Sequence, residues 1–227
     1  MIKGDLRKKQ ILETAEALFT ERGYEQTGVQ DILDRLHLSK GSFYHHFVSK
    51  ELVLQTILEG RAEKAAEALR SEAGEDGLER MNRLLSGMIP FRGEGLSFLK
   101  MLMPVFLLPE GKSVLSGYQD ALKKAWLPMT EDALARMIGQ GTAYTPYPEV
   151  TASILLDLVN DLWSCLSREI LRGISGDGEK PSPAGLLIWL EPYRAAAENL
   201  LSAPYGSIPL LNLEALDEIV RELTGNE

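Results

Sequence analysis

Apolar residues recur at intervals of three and four along almost the whole chain, and no segment sustains the two-residue alternation of a half-buried strand. The pattern predicts an all-α protein. A first helix is expected from about Asp5 to Arg22, with Ile11, Leu12, Ala15, Leu18 and Phe19 on one face and Gly23 as its stop. Thr27 followed by Gln30 has the form of a capping box, opening a short second helix through Val29, Ile32, Leu33 and Leu36. Ser39 is placed to cap a third. Ser49 is placed to cap a fourth, from Lys50 to about Ser71, with Val48 and Val53 set to form a hydrophobic staple across its start. Longer helical segments follow at about 78–90, 95–107, 112–139 with a kink expected at Pro128, 149–172, 183–202 and 212–224. Glycine- and proline-rich stretches such as "GQGTAYTPYP" and "GISGDGEKPSP" separate them, and Ser182–Pro183 reads as a cap and first-turn pair.

The two short helices, expected at about 27–36 and 39–46, are joined by a turn of two or three residues, the spacing of a helix-turn-helix. At 100° per residue, Phe43 and Phe47 lie about 40° apart, while Gly41, Ser42 and His45 gather on the opposite side with Tyr44 and His46 on the flanks. The phenylalanines anchor, and the small and polar residues face outward. Such a face suits a DNA groove. Gly41 lets a backbone approach, and Ser42 and His45 offer hydrogen bonds to base edges. Lys40 and Lys50 carry charge, while the hydroxyls of Thr27, Ser39 and Tyr44 can donate to phosphate oxygens.

Charge sharpens this division. The net charge is −9, but residues 1–50 hold eight Lys and Arg against seven Asp and Glu, a sum of +1 that leaves −10 for the other 177 residues. The lysines and arginines at 3–9, 40 and 50 lie outside the acidic stretch from Glu13 to Asp34, which allows a basic face on a nearly neutral domain. We therefore expect a DNA-binding domain over residues 1–50 and a larger helical domain over 51–227. The charged start "MIKGDLRKKQ" and a longest apolar run, "MLMPVFLLP", of only nine residues predict neither a signal peptide nor a membrane span. Cys165 is the only cysteine, which fits a reducing cytoplasm.

The run "TGVQDILDRLHLSKGSFYHHFVSKELVLQTIL", residues 27–58, resembles the N-terminal signature of the TetR-type (tetracycline-repressor) family of bacterial transcription regulators, and residues 5–58 match it in spacing. The resemblance implies phosphate contacts from Thr27, Tyr44, His46 and Lys50, and groove contacts from Ser39, Lys40, Gly41, Ser42 and His45; Gly28, next to Thr27, belongs to the same candidate set. Two positions depart from the pattern: His37 stands where the turn usually holds glycine, and Leu33 where a small residue is common. His37 must then accept an unusual backbone conformation, and histidine is among the residues that sometimes do.

Other chemistry finds little support. His45 and His46 are adjacent, hence 100° apart on a helix, and His37 is the only other histidine, so no zinc site and no Ser/His or Cys/His pairing is expected in the larger domain. The glycine-rich "GISGDGEK" lacks the Gly-Lys-Ser/Thr ending of a phosphate cradle. No catalytic residue, metal or cofactor is predicted.

The larger domain exceeds what DNA binding requires. Met81, Met88, Met101, Met103, Met129 and Met137 all fall within 57 residues, and methionine suits a pocket whose walls adjust to a ligand. With the family resemblance, the candidate small-molecule pocket comprises Met81, Leu85, Met88, Phe91, Phe98, Met101, Phe106, Tyr118 and Trp126. A polar stripe of Ser153, Asp157, Asn160, Asp161, Ser164 and Arg168 runs along 149–172. If it meets the pocket, Asp157 and Asp161 favour a cationic or hydrogen-bonding ligand; the alternative is a solvated face. Segment 183–202 is apolar nearly all round in its first half and so requires cover on both sides. The family pairs its last two long helices with a second subunit, which makes Leu186, Trp189, Leu190, Tyr193 and Ala197 candidates for a homodimer interface. The resulting expectation is a ligand-responsive repressor on a palindromic DNA site. The competing one is a DNA-binding protein of the same fold that is controlled by a protein partner, or acts architecturally, without a small ligand.

Overall fold

The computed structural model describes residues 3–70, 76–89, 101–102, 104–105 and 111–224, and the described residues contain helices and loops with no strand. Their helices are α1 (Lys3–Arg22), α2 (Val29–Leu36), α3 (Lys40–Tyr44), α4 (Lys50–Arg70), α5 (Gly77–Met88), α6 (Gly111–Gly139), α7 (Pro148–Ile174), α8 (Pro183–Leu201) and α9 (Leu213–Thr224). The expected helix at 95–107 lies almost wholly outside the described residues, of which 101, 102, 104 and 105 are helical. α6 runs through Pro128 as one helix.

The chain divides into two compact units, residues 1–62 with 97–121, and residues 63–96 with 122–227. In the first, Ile11, Ala15, Leu18 and Phe19 of α1, Ile32 and Leu33 of α2, Phe43, Phe47, and Val53, Leu54 and Leu58 of α4 are all buried. Each large apolar side chain so buried contributes about 1.5–3 kcal/mol, enough to fix the orientation of a helix as short as α3. The start of α6 belongs to this unit. Tyr118 is buried there, and desolvation pushes its hydroxyl up to about 12 against the opposing charge of Arg61.

Local chemistry sets the helix ends, with two differences from expectation. α2 is capped by Gly28 rather than Thr27: the Gly28 N–H donates to Asp31 Oδ2 at 2.7 Å, and the Asp31 N–H donates back to the Gly28 carbonyl at 3.1 Å. Val48 is 75% exposed although Val53 is buried, so no staple closes over the start of α4. The serine caps form as the spacing predicts. Ser39 Oγ accepts from Ser42 N, Ser49 Oγ from Leu52 N and Ser182 Oγ from Gly185 N. His37 ends α2 in the left-handed conformation (φ 52°, ψ 46°), with its own N–H on the Asp34 carbonyl and that of Leu38 on the Leu33 carbonyl. This is the hydrogen-bond pattern that glycine usually serves.

In the second unit, α7 packs against α5, α8 and α9. The indoles of Trp126 and Trp163 are fully buried and satisfied, Trp126 Nε1 donating to the Leu84 carbonyl at 3.0 Å and Trp163 Nε1 to Asn160 Oδ1 at 3.1 Å. α7 is long and apolar enough to cross a bilayer by length and composition, but 67% of its most apolar stretch is buried inside the protein, the property of a core helix.

Candidate nucleic-acid interface

The geometry of α3 follows from its two anchors. Phe43 and Phe47 are buried with ring centroids 6.1 Å apart, which leaves Lys40, Gly41, Tyr44 and His45 exposed and Ser42 and His46 half-buried. The helix spans five residues, with His45 as its C-cap and His46 beyond. Tyr44 is 52% exposed and stands edge-on to Phe43, centroids 5.4 Å apart at 85°. The His45 and His46 rings also meet edge-on, at 5.1 Å. A Cβ added at Gly41 would meet no atom within 4 Å. Nothing inside the chain requires glycine there, although glycine weakens a helix by about 0.5–1 kcal/mol relative to alanine.

Two members of the candidate set are engaged internally. Thr27 is fully buried, its Oγ1 within hydrogen-bond reach of the Gly23 carbonyl at 2.9 Å and the Leu18 carbonyl at 3.3 Å. Its hydroxyl closes the end of α1 onto the start of α2 and is not offered to phosphate, which corrects the expectation for this residue. Lys50 folds back onto Tyr24, donating to its carbonyl at 2.9 Å with Nζ 4.0 Å from the ring centroid. Tyr24 OH donates to Glu51 Oε1 at 3.3 Å. The Glu51 carboxyl is held below its usual value chiefly by backbone N–H donation at the start of α4, with Ser49, Tyr24 and Lys50 assisting and burial opposing. Lys50 therefore ties α4 to the end of α1, with its remaining N–H directions available to a phosphate. Gly28 and Ser39 are exposed at the starts of α2 and α3.

The pocket candidates are distributed between the units. Met81, Leu85, Met88 and Trp126 are buried in the second unit, while Met101 and Tyr118 belong to the first. Phe91, Phe98, Phe106 and Met103 lie outside the described residues. The polar stripe on α7 splits. Asn160 and Ser164 are buried, and the Ser164 hydroxyl donates to the Asn160 carbonyl within the same helix. Asp157 and Asp161 are exposed, each with a partner: Lys123 Nζ reaches both oxygens of Asp157 at 2.7 and 2.6 Å, and Tyr193 OH donates to Asp161 Oδ2 at 2.5 Å. Desolvation, followed by that bond to Asp161, raises the Tyr193 hydroxyl. These aspartates thus lie on the surface of the chain and not among its buried residues.

The interface candidates on α8 also split, because the helix turns one side to its own chain. Leu186, Leu190 and Ala197 are buried within the chain, at the spacing of a single helix face. They are core residues, not surface ones, contrary to expectation. Trp189 is 43% exposed, and Ile188, which the sequence reasoning did not select, is 74% exposed. Val150 and Ile154 on α7 are exposed as well. Among the described residues, no group of three His, Cys, Asp or Glu side chains could hold a metal ion.

This arrangement defines a helix-turn-helix protein: a two-phenylalanine anchor, a tight turn at His37 and a short helix with a polar, glycine-bearing outer face. The family model described as "Bacterial regulatory proteins, tetR family" matches residues 11–57. Over 54 residues the chain is 46% identical to the HTH-type transcriptional repressor KstR2 of Mycobacterium tuberculosis, a match that spans 24% of this chain and 27% of the repressor. The uncharacterized HTH-type transcriptional regulator YerO of Bacillus subtilis is 26% identical over 96% of this chain and 84% of its own length. Among solved structures, RolR in complex with the ligand resorcinol has the same fold at a TM-score of 0.56 and 15% identity, covering 96% of this chain and 94% of that one. Residues 11–57 are thus similar to the N-terminal domain of tetR-family bacterial regulatory proteins, and the likeness to YerO extends along nearly the whole chain.

Proposed function

We propose that the chain is a cytoplasmic, homodimeric transcription repressor that binds a palindromic operator through residues 1–50 and leaves it when a small molecule binds the domain formed by 51–227. The observation that carries this reading is the division of α3, with both phenylalanines in the core and Lys40, Gly41, Tyr44 and His45 outside. Ser42 and His45 read base edges; Ser39, Tyr44, His46 and Lys50 hold phosphates. Ile188 and Trp189 on α8, and separately Val150 and Ile154 on α7, leave apolar side chains exposed that suit a second copy of the chain. A two-fold dimer places two recognition helices about 34–36 Å apart, one turn of duplex.

The effector is read as uncharged and largely apolar. Met81, Leu85, Met88 and Trp126 supply apolar lining, and the buried hydroxyls of Ser164 and Ser167 already donate to carbonyls of their own helix. Asp157 and Asp161 lie outside and paired. RolR, which has this fold, is solved in complex with resorcinol, which supports the reading. A hundredfold loss of operator affinity requires the effector to favour the DNA-incompetent form by about 2.7 kcal/mol, since equal affinity for both forms shifts nothing.

Selecting bound duplexes from a random DNA library tests the reading. Enrichment of a palindrome with half-sites about one helical turn apart supports it; DNA binding without an enriched sequence favours an architectural or partner-controlled role.

A further inference from the structure

Four cations of the first unit pair with carboxylates. Arg22 pairs with Asp31 at 3.7 Å, Arg35 with Glu21 at 3.3 Å, Arg61 with Glu16 at 2.5 Å and Lys9 with Glu13 at 3.6 Å. Among the described residues, no carboxylate pairs with Arg7, Lys8 or Lys40. Lys40 opens α3. Arg7 and Lys8 stand on the first two turns of α1, more than thirty residues away in sequence, yet the fold brings those turns to the far end of the same helix. Lys8 Nζ lies 5.7 Å from the centroid of Phe47, and a Cβ at Gly4 would come within 4.0 Å of His46 Cε1. Arg7 follows Gly4 by three residues and precedes the buried Ile11 by four, so it shares their side of α1. Lys40 thus stands at the start of α3, and Lys8, on the turns of α1 that carry Arg7, stands beyond its end.

A helix lying in the major groove has a phosphate strand on either side. A lysine whose stem rests on an aromatic ring keeps its ammonium at the surface, and an arginine fork donates in the plane that phosphate oxygens accept. We propose that Arg7 and Lys8 form a phosphate-binding edge of α1 that flanks the recognition helix, gripping the DNA backbone by charge without reading bases. The proposal rests on the DNA-binding reading above and adds to it a surface outside the helix-turn-helix.

The experiment measures affinity for the selected duplex against salt concentration for the full-length protein, its R7Q/K8Q and K8Q variants, and K9Q. Lys9 lies on the same turns but is paired with Glu13. Losing two phosphate contacts per chain flattens the slope of log affinity against log salt by about 1.8 per bound chain, about 3.6 for a dimer on its palindrome, so the affinity deficit of R7Q/K8Q narrows about 150-fold between roughly 50 and 200 mM salt. K8Q alone loses about half of that slope, K9Q keeps the wild-type slope, and both variants at Lys8 select the wild-type sequence. Thermal unfolding identifies any variant whose fold is damaged; should the double variant fail to fold, K8Q carries the test. An unchanged slope in the folded variants, an equal flattening in K9Q or a changed sequence preference overturns the proposal. If the wild-type protein enriches no sequence and binds without salt dependence, the DNA-binding reading falls with it. A sequence-selective wild type with an unmoved slope overturns the α1 edge alone.

Discussion

Gly41 gives an account of α3 that can be read in two directions. It is the second residue of a five-residue helix, and no atom stands within 4 Å of the place its Cβ would occupy. If the isolated chain were the only constraint, Gly41→Ala would stabilise the fold by about 0.5–1 kcal/mol, through lower unfolded-state entropy and better helix propensity. For a chain of this size that is a rise of about 1–4 °C in Tm. If α3 lies in a groove with its backbone close to the bases, the same methyl group meets DNA. Overpacking of that kind costs about 1–3 kcal/mol, a loss of about 5- to 150-fold in affinity. Thermal unfolding of the free protein and fluorescence anisotropy on the selected duplex read the two effects separately. The expected result is a more stable protein that binds its site more weakly. A destabilised variant would show that the fold itself needs glycine at this position. A stabilised variant with unchanged affinity would show that nothing approaches Gly41, and the argument for a groove-facing α3 would lose its steric support.

Thr27→Val keeps the volume but removes the donor shared by the Gly23 and Leu18 carbonyls, so unfolding should show a loss of about 1–2 kcal/mol; an unchanged midpoint would restore the phosphate role to Thr27. A Cβ at Gly77 would lie 2.6 Å from the Met137 backbone nitrogen, so Gly77→Ala should cost about 1–3 kcal/mol, measured by urea unfolding, and a neutral result would mean that α5 moves freely off the end of α6. The lowered carboxyl of Glu51 contributes stability that is present above its usual value of 4.5 and is lost as pH falls through the folded-state value. The Tm gap between wild type and Glu51→Gln should therefore be widest near neutral pH and close well below pH 4.5; a gap that widens on acidification would contradict the sign.

Much of the fold was legible because its signals are local. Ser39, Ser49 and Ser182 cap the helices that their spacing announces, since a serine oxygen and an N–H three residues on need no tertiary partner. Phe43 and Phe47 were legible for the same reason, one turn of helix joining them. Thr27 was misread because two capping pairs overlap at the start of α2. Tertiary structure chose Gly28 with Asp31 and drew the threonine hydroxyl to carbonyls at the end of α1. Leu186, Leu190 and Ala197 were placed on the wrong side because a helix that is apolar nearly all round carries no moment to say which side its own chain covers. Arg7 and Lys8 stood out in the sequence as part of a basic stretch, but the position of Lys8 beside Phe47, and of Gly4 beside His46, depends on how α1 crosses α3, which periodicity does not encode.

The central claim is that the outward face of α3 reads DNA sequence, and His45 tests it most directly because it is exposed, lies outside the phenylalanine anchor and is assigned to a base edge. The decisive measurement is a parallel selection from one random duplex library with wild type and His45→Ala, each confirmed to be folded and dimeric. The account predicts that both proteins enrich palindromes with the same half-site spacing, and that the variant relaxes or changes its preference at one position in each half-site. Identical preferences at every position would contradict it, and base reading would then have to be reassigned away from this face.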